Sequence, residues 1–259
     1  MADIERTVRD GVATILLNRP EKSNAFTLEM IDQWAAWLVE ARTDSSIGAI
    51  VLTGSGKNFC AGADFTVLSG QATAYDRKSR LTDRIHRIPL ALEDLDKPVI
   101  AAVNGAATGA GLDMALMCDM RFAGGSARLA ETYIRVGLVP GDGGAFYLPR
   151  LVGVAKALEL LMTGDFVDAE EALRIGLVNR VVNDDKLLEE TEAFARRLAA
   201  APPINIRIIK RAVYQSLRLD LRTSLDLISS HMGVVQTTKD SREALDAFRS
   251  KRAPLFVGE

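Results

Sequence analysis

The amino-acid sequence predicts an α/β domain with a helical extension. Short apolar runs at 12–17, 49–52 and 99–103 are typical of buried strands, and each ends at a proline or glycine signal. Segments with apolar residues at helical spacing lie between and after these runs. Strands that alternate with helices indicate an α/β core, and 259 residues with 48% hydrophobic content suffice to bury one.

The charge balance is close to neutral and excludes several classes of protein. The chain has 32 Lys and Arg against 34 Asp and Glu, for a formal net charge of −2. This argues against a disordered chain, a nucleic-acid-binding protein and a polybasic membrane anchor. Two cysteines and two histidines without metal-binding spacing predict no metal site. The polar N-terminus lacks the apolar core of a signal peptide, so we expect a reducing, cytoplasmic location.

The first half of the chain predicts three strands and two helices. The strand at 12–17 ends before Pro20, because proline cannot continue a strand ladder. A helix begins after Thr27, the predicted N-cap, and places Ile31, Trp34, Ala35 and Leu38 on one face. The apolar stretch 99–118 approaches the length of a membrane span, but its glycines, its asparagine and its aspartate favour a strand, a turn and a helix over 112–118.

The second half predicts short strands among amphipathic helices. Strand-like pieces occur at 127–131 and 178–182, and Asp168 with Glu171 has the capping-box pattern of a helix start. Pro202-Pro203 marks a boundary, after which 204–228 and 241–251 are each predicted to be one helix. The predicted organisation is a core over residues 1–200 and a helical region over residues 201–259.

Three glycine-rich loops lack the known phosphate-binding patterns. A P-loop around Gly56-Lys57 would need glycine at Val51 and Ser or Thr at Asn58, and no loop has the third glycine of the dinucleotide pattern. The loops at 59–64 and 108–111 instead offer accessible backbone N–H groups, and the second opens a helix, where the dipole favours an anionic oxygen. Two converging donors would form an oxyanion hole; alternatively, the small residues serve only tight turns.

Several separate motifs, in order along nearly the whole chain, resemble one family. They are LNRPEKSNA (17–25), FCAGAD (59–64), KPVIAAVNG (97–105), VGLVP (136–140), LMTG (161–164) and the ending from Ala247-Phe248 to Pro254. On these motifs the sequence is identified as a member of the crotonase superfamily, the enoyl-CoA hydratase/isomerase family.

The resemblance implies a fold, a substrate class and an assembly. The expected fold is a spiral of repeated ββα units with a C-terminal helical region that forms trimers, often stacked into hexamers, and covers the CoA site. Family members bind acyl-CoA thioesters, with coenzyme A as part of the substrate and no further cofactor. The thioester carbonyl is held by two backbone N–H groups, which by position are those of Ala63 and Ala110. The implied CoA contacts are Lys22, Ser23, Ala25 and Ala61, with Phe248 and Lys251 reaching the site from a neighbouring subunit.

The sequence departs from the hydratase pattern at both catalytic positions. Hydratases of the family use two glutamates, and these positions hold Asp113 and Tyr133 here. Aspartate is shorter by about 1.5 Å, and tyrosine is not a base near neutral pH. Glu131 and Asp142 are therefore further candidates for acid and base. Each of these residues also has a structural alternative. Glu131 would lie on an exposed strand face, and Asp142 would form an Asx-type turn in Gly-Asp-Gly-Gly. Tyr133 would be a pocket wall that places its ring against the acyl chain.

Three reactions and one non-catalytic role remain open at this point. The first expectation is hydration of a 2-enoyl-CoA by Asp113, with Tyr133 orienting water. The second is double-bond isomerisation, in which Asp113 or Asp142 moves one proton between carbons. Other reactions of the family, such as decarboxylation or hydrolysis, form the third group. A protein that binds acyl-CoA without turnover is the alternative from another class, whereas a serine-hydrolase triad lacks its G-x-S-x-G elbow.

Overall fold

The computed structural model describes residues 2–64 and 71–259. Its strands are β1 (Ile4–Arg9), β2 (Val12–Leu17), β3 (Ala49–Gly54), β4 (Val99–Val103), β5 (Ala106–Thr108), β6 (Met120–Gly124), β7 (Arg128–Ala130), β8 (Val167–Asp168) and β9 (Arg180–Val182). Its α-helices are α1 (Leu28–Thr43), α2 (Ala74–Arg80), α3 (Arg87–Asp94), α4 (Ala110–Leu116), α5 (Gly144–Val152), α6 (Val154–Thr163), α7 (Ala169–Arg174), α8 (Leu187–Ala199), α9 (Pro203–Ser216), α10 (Leu221–Gln236) and α11 (Lys239–Ser250).

The main sheet has six strands in the order β1-β2-β3-β4-β6-β9. β1 pairs with β2 in antiparallel fashion, and the remaining neighbours are parallel. β3 and β4 are buried over their whole length, because α1 packs on one face of the sheet and α8 on the other. A parallel strand that is buried on both faces has a continuous apolar sequence, and the runs at 49–52 and 99–103 have this pattern.

A second sheet of three short strands, in the order β5-β7-β8, lies beyond the end of the main sheet. β5 follows β4 after two residues, and the loop after β3 joins the same layer through a parallel bridge between Cys60 and Ala107. The loops that leave β3 and β4 are therefore held side by side.

The predicted elements of the first half are confirmed. β2 spans 12–17, and Thr27 caps α1 by accepting a hydrogen bond from the Met30 N–H. The stretch 99–118 is strand, turn and helix, although the helix begins at Ala110 rather than at residue 112. The helix begins this early because Gly109 is its N-cap, where glycine tolerates the positive φ of 51°. Gly111 lies within the helix.

The predicted single helix over 204–228 is wrong. The structure has two helices, α9 and α10, and the Asp220 side chain begins the second by accepting hydrogen bonds from the Arg222 and Thr223 N–H groups. The predicted division at residues 200 and 201 falls in the link between α8 and α9. No helix in the described ranges is long and apolar enough to cross a membrane.

Candidate active site

Two buried or half-buried asparagines fix the loops at the carboxyl end of the parallel strands. Asn24, which follows β2, donates from its side-chain amide to the Ser55 and Asn58 carbonyls, at 2.9 and 2.7 Å. Asn104, which follows β4, accepts from the Gly54 N–H at 3.1 Å and donates to the Gly56 carbonyl at 2.9 Å. The loop after β3 is thereby clamped from both neighbouring strands.

The glycine loops at 59–64 and 108–111 approach each other too closely for larger residues. A Cβ at Gly111 would stand 2.1 Å from the Cys60 carbonyl oxygen. A Cβ at Gly62, whose φ is +99°, would stand 3.2 Å from the Thr108 carbonyl oxygen and 3.5 Å from the Ala110 nitrogen. Glycine is therefore required at both positions for steric reasons, and the start of α4 lies against the first loop.

The Ala63 and Ala110 N–H groups are left available by this arrangement. The Phe26 N–H donates to the Gly62 carbonyl and the Asp64 N–H to the Phe26 carbonyl, so the Ala63 N–H between them points away from Phe26. Ala110 is the first residue of α4, where an N–H has no partner within the helix. Among the residues that the structure describes, neither N–H has a backbone partner. Two donors on adjoining loops can bind one oxygen.

Three carboxyl groups and one phenol meet beside these loops. Asp113 lies on the first turn of α4, Glu131 and Tyr133 follow β7, and Asp142 precedes α5. The Tyr133 hydroxyl lies 2.7 Å from Asp113 Oδ2 and 3.1 Å from Asp142 Oδ2. All three carboxyl groups are buried, and one oxygen each of Asp113 and Asp142 has no hydrogen-bond donor in the described part of the chain.

The small residue at position 144 makes room for this cluster. A Cβ at Gly144 would stand 2.4 Å from Asp113 Oδ1 and 3.2 Å from Glu131 Oε1. These two oxygens therefore approach the same point above the start of α5. The Gly144 backbone, which lies beside Asp113, also favours its charged form.

Burial shifts the pKa of every group in the cluster. It raises the pKa of Asp113 to about 6, although the hydrogen bond from Tyr133 opposes the shift. It raises the pKa of Glu131 to about 10, with the Asp113 charge adding to the effect. The pKa values of Asp142 and Tyr133 are also raised, again mainly by burial. At neutral pH, Glu131 and Tyr133 are thus protonated and Asp113 is ionised.

These positions correct three alternatives from the sequence. Glu131 does not lie on an exposed strand face but is 1% exposed. The Asp142 side chain accepts from Tyr133, so its role is more than that of a turn residue. Tyr133 is more than an apolar wall, because its hydroxyl joins the two aspartates.

Comparison with known proteins identifies one family. A profile of the enoyl-CoA hydratase/isomerase family matches residues 7–259. The short-chain-enoyl-CoA hydratase of Clostridium acetobutylicum is 37% identical over 243 residues, which are 93% of this chain and 92% of that protein. The 1,2-epoxyphenylacetyl-CoA isomerase of Escherichia coli is 37% identical over 254 residues, 97% of each chain. The crystal structure of enoyl-CoA hydratase from Bacillus anthracis matches with a TM-score of 0.94, at 35% identity over 100% of both chains.

The chain belongs to the enoyl-CoA hydratase/isomerase family. It has the crotonase fold and is an enzyme of the enoyl-CoA hydratase or isomerase type.

The four core residues to which the family resemblance assigns CoA contacts lie together. Lys22 ends a short 3-10 turn and is exposed. The Ala25 N–H donates to the Lys22 carbonyl at 3.1 Å, and the Ala61 N–H donates to the Ser23 carbonyl at 2.9 Å. These residues form one edge beside the loops at 59–64 and 108–111.

Phe248 and Lys251 lie apart from this edge in the hydrogen-bond network. Phe248 is on α11 with 84% of its surface exposed, and Lys251 caps the same helix with a φ of 51°. The described hydrogen bonds and salt bridges connect neither residue to the site. Their assignment to the CoA site of a neighbouring subunit remains a prediction.

Sequence reasoning missed two residues that hold α4 and the segment before α5 in place. Buried Arg121 donates to the Cys118 carbonyl at 2.7 Å and to the Leu177 carbonyl at 2.8 Å, which holds the end of α4. His86 Nε2 lies 2.8 Å from the Gly141 carbonyl oxygen, next to Asp142. Neither residue stands in a motif, so only the packing reveals its role. Across 2–64 and 71–259, no group of three or more His, Cys, Asp and Glu residues could hold a metal ion.

Proposed function

We propose that the enzyme adds water to the C2=C3 double bond of a 2-enoyl-CoA. The observation that carries this proposal is the 2.7 Å hydrogen bond between the Tyr133 hydroxyl and Asp113, with Asp142 on the other side of the same hydroxyl. The pattern of two family glutamates is absent, and the proposal is supported by a second carboxyl, that of Asp142, on the other side of the Tyr133 hydroxyl from Asp113. No cofactor beyond the coenzyme A of the substrate is required.

The thioester oxygen is bound first. The Ala63 and Ala110 N–H groups donate to it, and the dipole of α4 adds to the positive potential there. When water attacks C3, the charge moves to this oxygen as an enolate. Fixed donors stabilise that charge more than they stabilise the neutral carbonyl, which commonly contributes about 3 kcal/mol per donor.

Asp113 and Tyr133 then divide the proton transfers. Ionised Asp113 takes one proton from the water, whose oxygen bonds to C3. The Tyr133 hydroxyl gives its proton to C2 as the enolate collapses, since an enolate carbon is far more basic than a phenolate. The proton on Asp113 passes across the hydrogen bond to the Tyr133 oxygen, and both groups return to their starting state.

Double-bond isomerisation is the second candidate, and one observation favours it. A hydroxyl between two carboxyls can accept a proton on one side and release another on the other side, so a proton removed at one carbon can return at a different carbon without added water. The relatives named above include both hydratases and an isomerase.

Mass spectrometry in deuterated water separates these outcomes. Straight-chain 2-enoyl-CoA and 3-enoyl-CoA thioesters are incubated with the protein. A gain of one D2O from the 2-enoyl substrate supports hydration. Deuterium incorporation with a moved double bond and no added water supports isomerisation instead. Tight thioester binding without any product supports the alternative of a binding protein and overturns both.

The assembly is proposed to be a homotrimer or a hexamer formed by two trimers, in the cytoplasm. Large apolar side chains are exposed on α10 and α11 of the single chain, among them Leu221, Met232 and Phe248. Exposed apolar faces on neighbouring helices are typical of subunit interfaces. Light scattering after size-exclusion chromatography gives the mass directly, and a monomer would contradict the proposal.

A further inference from the structure

Glu131 is an ionisable group in apolar surroundings. The residue follows β7 and is 1% exposed. It lines a narrow crevice together with apolar side chains, among them Leu112, Leu129, Leu160, Val167 and Leu177. Within the described ranges, no N–H or O–H group donates to either of its carboxyl oxygens. A carboxylate left in this way would be strongly destabilising.

The group that Glu131 does contact is another carboxyl. One unpartnered oxygen of each group, Glu131 Oε1 and Asp113 Oδ1, lies next to Gly144. A point at Cβ distance from the Gly144 Cα lies 3.2 Å from Glu131 Oε1 and 2.4 Å from Asp113 Oδ1. Two ionised carboxylates have no proton to share, so this contact is favourable only when one of them is protonated.

We propose that Glu131 is neutral and donates the hydrogen bond that holds Asp113 in its catalytic orientation. Glu131 is thus a positioning residue, which neither takes a proton from the substrate nor gives one to it. The proposal rests on the proposed role of Asp113 as the base. It goes beyond that role because it fixes which member of the buried carboxyl pair keeps the proton.

The surroundings of the two groups explain the assignment. Asp113 also accepts from Tyr133, and the Gly144 backbone lies beside it; both favour its charged form. Glu131 has no such donors, and the carboxyls of Asp113 and Asp142 oppose its ionisation. Tyr133 also faces the cluster, and Asp165 lines the same crevice as Glu131. Two cationic side chains lie close to these neighbours: Arg135 pairs with Asp165 at 3.7 Å, and His86 lies 2.8 Å from the Gly141 carbonyl oxygen. Neither is among the groups that shift the pKa of Glu131.

Two variants separate positioning from proton transfer. Glu131→Leu fits the apolar lining but has no donor, and we expect kcat to fall by about 10-fold to 100-fold, as for other residues that support a catalytic group. Glu131→Gln keeps a donor of similar size, and its amide replaces the protonated carboxyl. We expect it to recover most of the loss seen in Glu131→Leu. A Glu131→Gln enzyme as slow as Glu131→Leu would overturn the proposal, because it would mean that the Glu131 proton itself moves.

Stability against pH gives a readout that does not depend on turnover. A carboxyl protonated in the folded chain and ionised in the unfolded chain lowers stability as pH rises from the unfolded pKa towards the folded pKa. Between about pH 5 and about pH 9, the equilibrium constant for unfolding should therefore increase more steeply with pH in the wild-type protein than in Glu131→Gln. The difference in slope should reach about tenfold per pH unit. Glu190→Gln, an exposed change on α8, should keep the wild-type slope.

The outcomes distinguish this inference from the proposed reaction. Equal slopes for wild type and Glu131→Gln would overturn the neutral Glu131, whatever the enzyme catalyses. A flatter slope for Glu131→Gln supports the neutral state even if no substrate in the panel is hydrated. In that case the proposed function fails and the protonation of Glu131 stands.

Discussion

Tyr133 donates its hydroxyl proton to Asp113 across 2.7 Å, although the two residues are 20 positions apart in the chain. The same hydroxyl oxygen is 3.1 Å from Asp142. One phenol proton cannot serve two ionised carboxylates at once. In the proposed reaction Asp113 and Tyr133 therefore act as a pair, and burial raises the pKa of Asp142 on the other side of the Tyr133 hydroxyl.

Tyr133→Phe removes this shared proton and leaves the ring in place. We expect kcat to fall by about 10² to 10⁴, the usual contribution of a general acid or base, with little change in KM. Steady-state kinetics on the best substrate of the panel measures both constants. Tyr75→Phe, at an exposed tyrosine on α2, is the matched control and should leave both unchanged. A Tyr133→Phe enzyme with wild-type kcat would exclude Tyr133 as the acid.

The rate should depend on pH through Asp113. A base must be ionised, and burial raises the Asp113 pKa to about 6, so kcat/KM should increase with pH up to about 6 and then level off. Because the hydrogen bond from Tyr133 lowers this pKa, Tyr133→Phe should shift the rising part of the kcat/KM profile to higher pH. The pH profile of kcat/KM for both proteins tests this. A profile that is flat from about pH 5 to about pH 7 would contradict Asp113 as the base.

Gly144 and Gly125 form a matched pair of glycines for a steric test. A Cβ at Gly144 would collide with Asp113 Oδ1 at 2.4 Å, whereas a Cβ at Gly125 would meet nothing within 4 Å. Displacing a reacting group by about 1 Å can cost about 100-fold in rate. Gly144→Ala should therefore lose about that much kcat, and Gly125→Ala should lose none. Kinetics and circular dichroism of both variants check this; equal activities would show that the cluster adapts to the added methyl.

The geometry of the loops at 59–64 and 108–111 was predictable from the sequence because it is local. A strand, a glycine turn and a helix start determine where the Ala110 N–H points, and each leaves its own signal in the sequence. The acid cluster was only partly predictable. Asp113 and Asp142 were both candidates, but their link through Tyr133 depends on how α4, the segment after β7 and the segment before α5 pack together.

Two further structural features were not predicted from the sequence, for physical reasons. β7 has three residues, too few for an alternation of apolar and polar residues to show that Glu131 after it is buried. In the C-terminal region, apolar spacing continues across the break between α9 and α10, and only the capping by Asp220 separates the two helices. A side-chain oxygen that accepts from two N–H groups outweighs a continuous apolar pattern there.

Ala110→Pro tests the oxyanion hole without removing a side chain that binds substrate. Ala110 is the first residue of α4, where proline is tolerated since its missing N–H would have no partner in the helix. Gly109 before it has φ 51° and ψ −124°, an extended conformation with positive φ that glycine can keep before proline. The loss of one donor should lower kcat by about 10² to 10³. Kinetics together with a thermal melt measures this, and Ala110→Ser, which retains the N–H, is the control. If Ala110→Pro folds like the wild type and turns over at the wild-type rate, the Ala110 N–H does not bind the enolate oxygen.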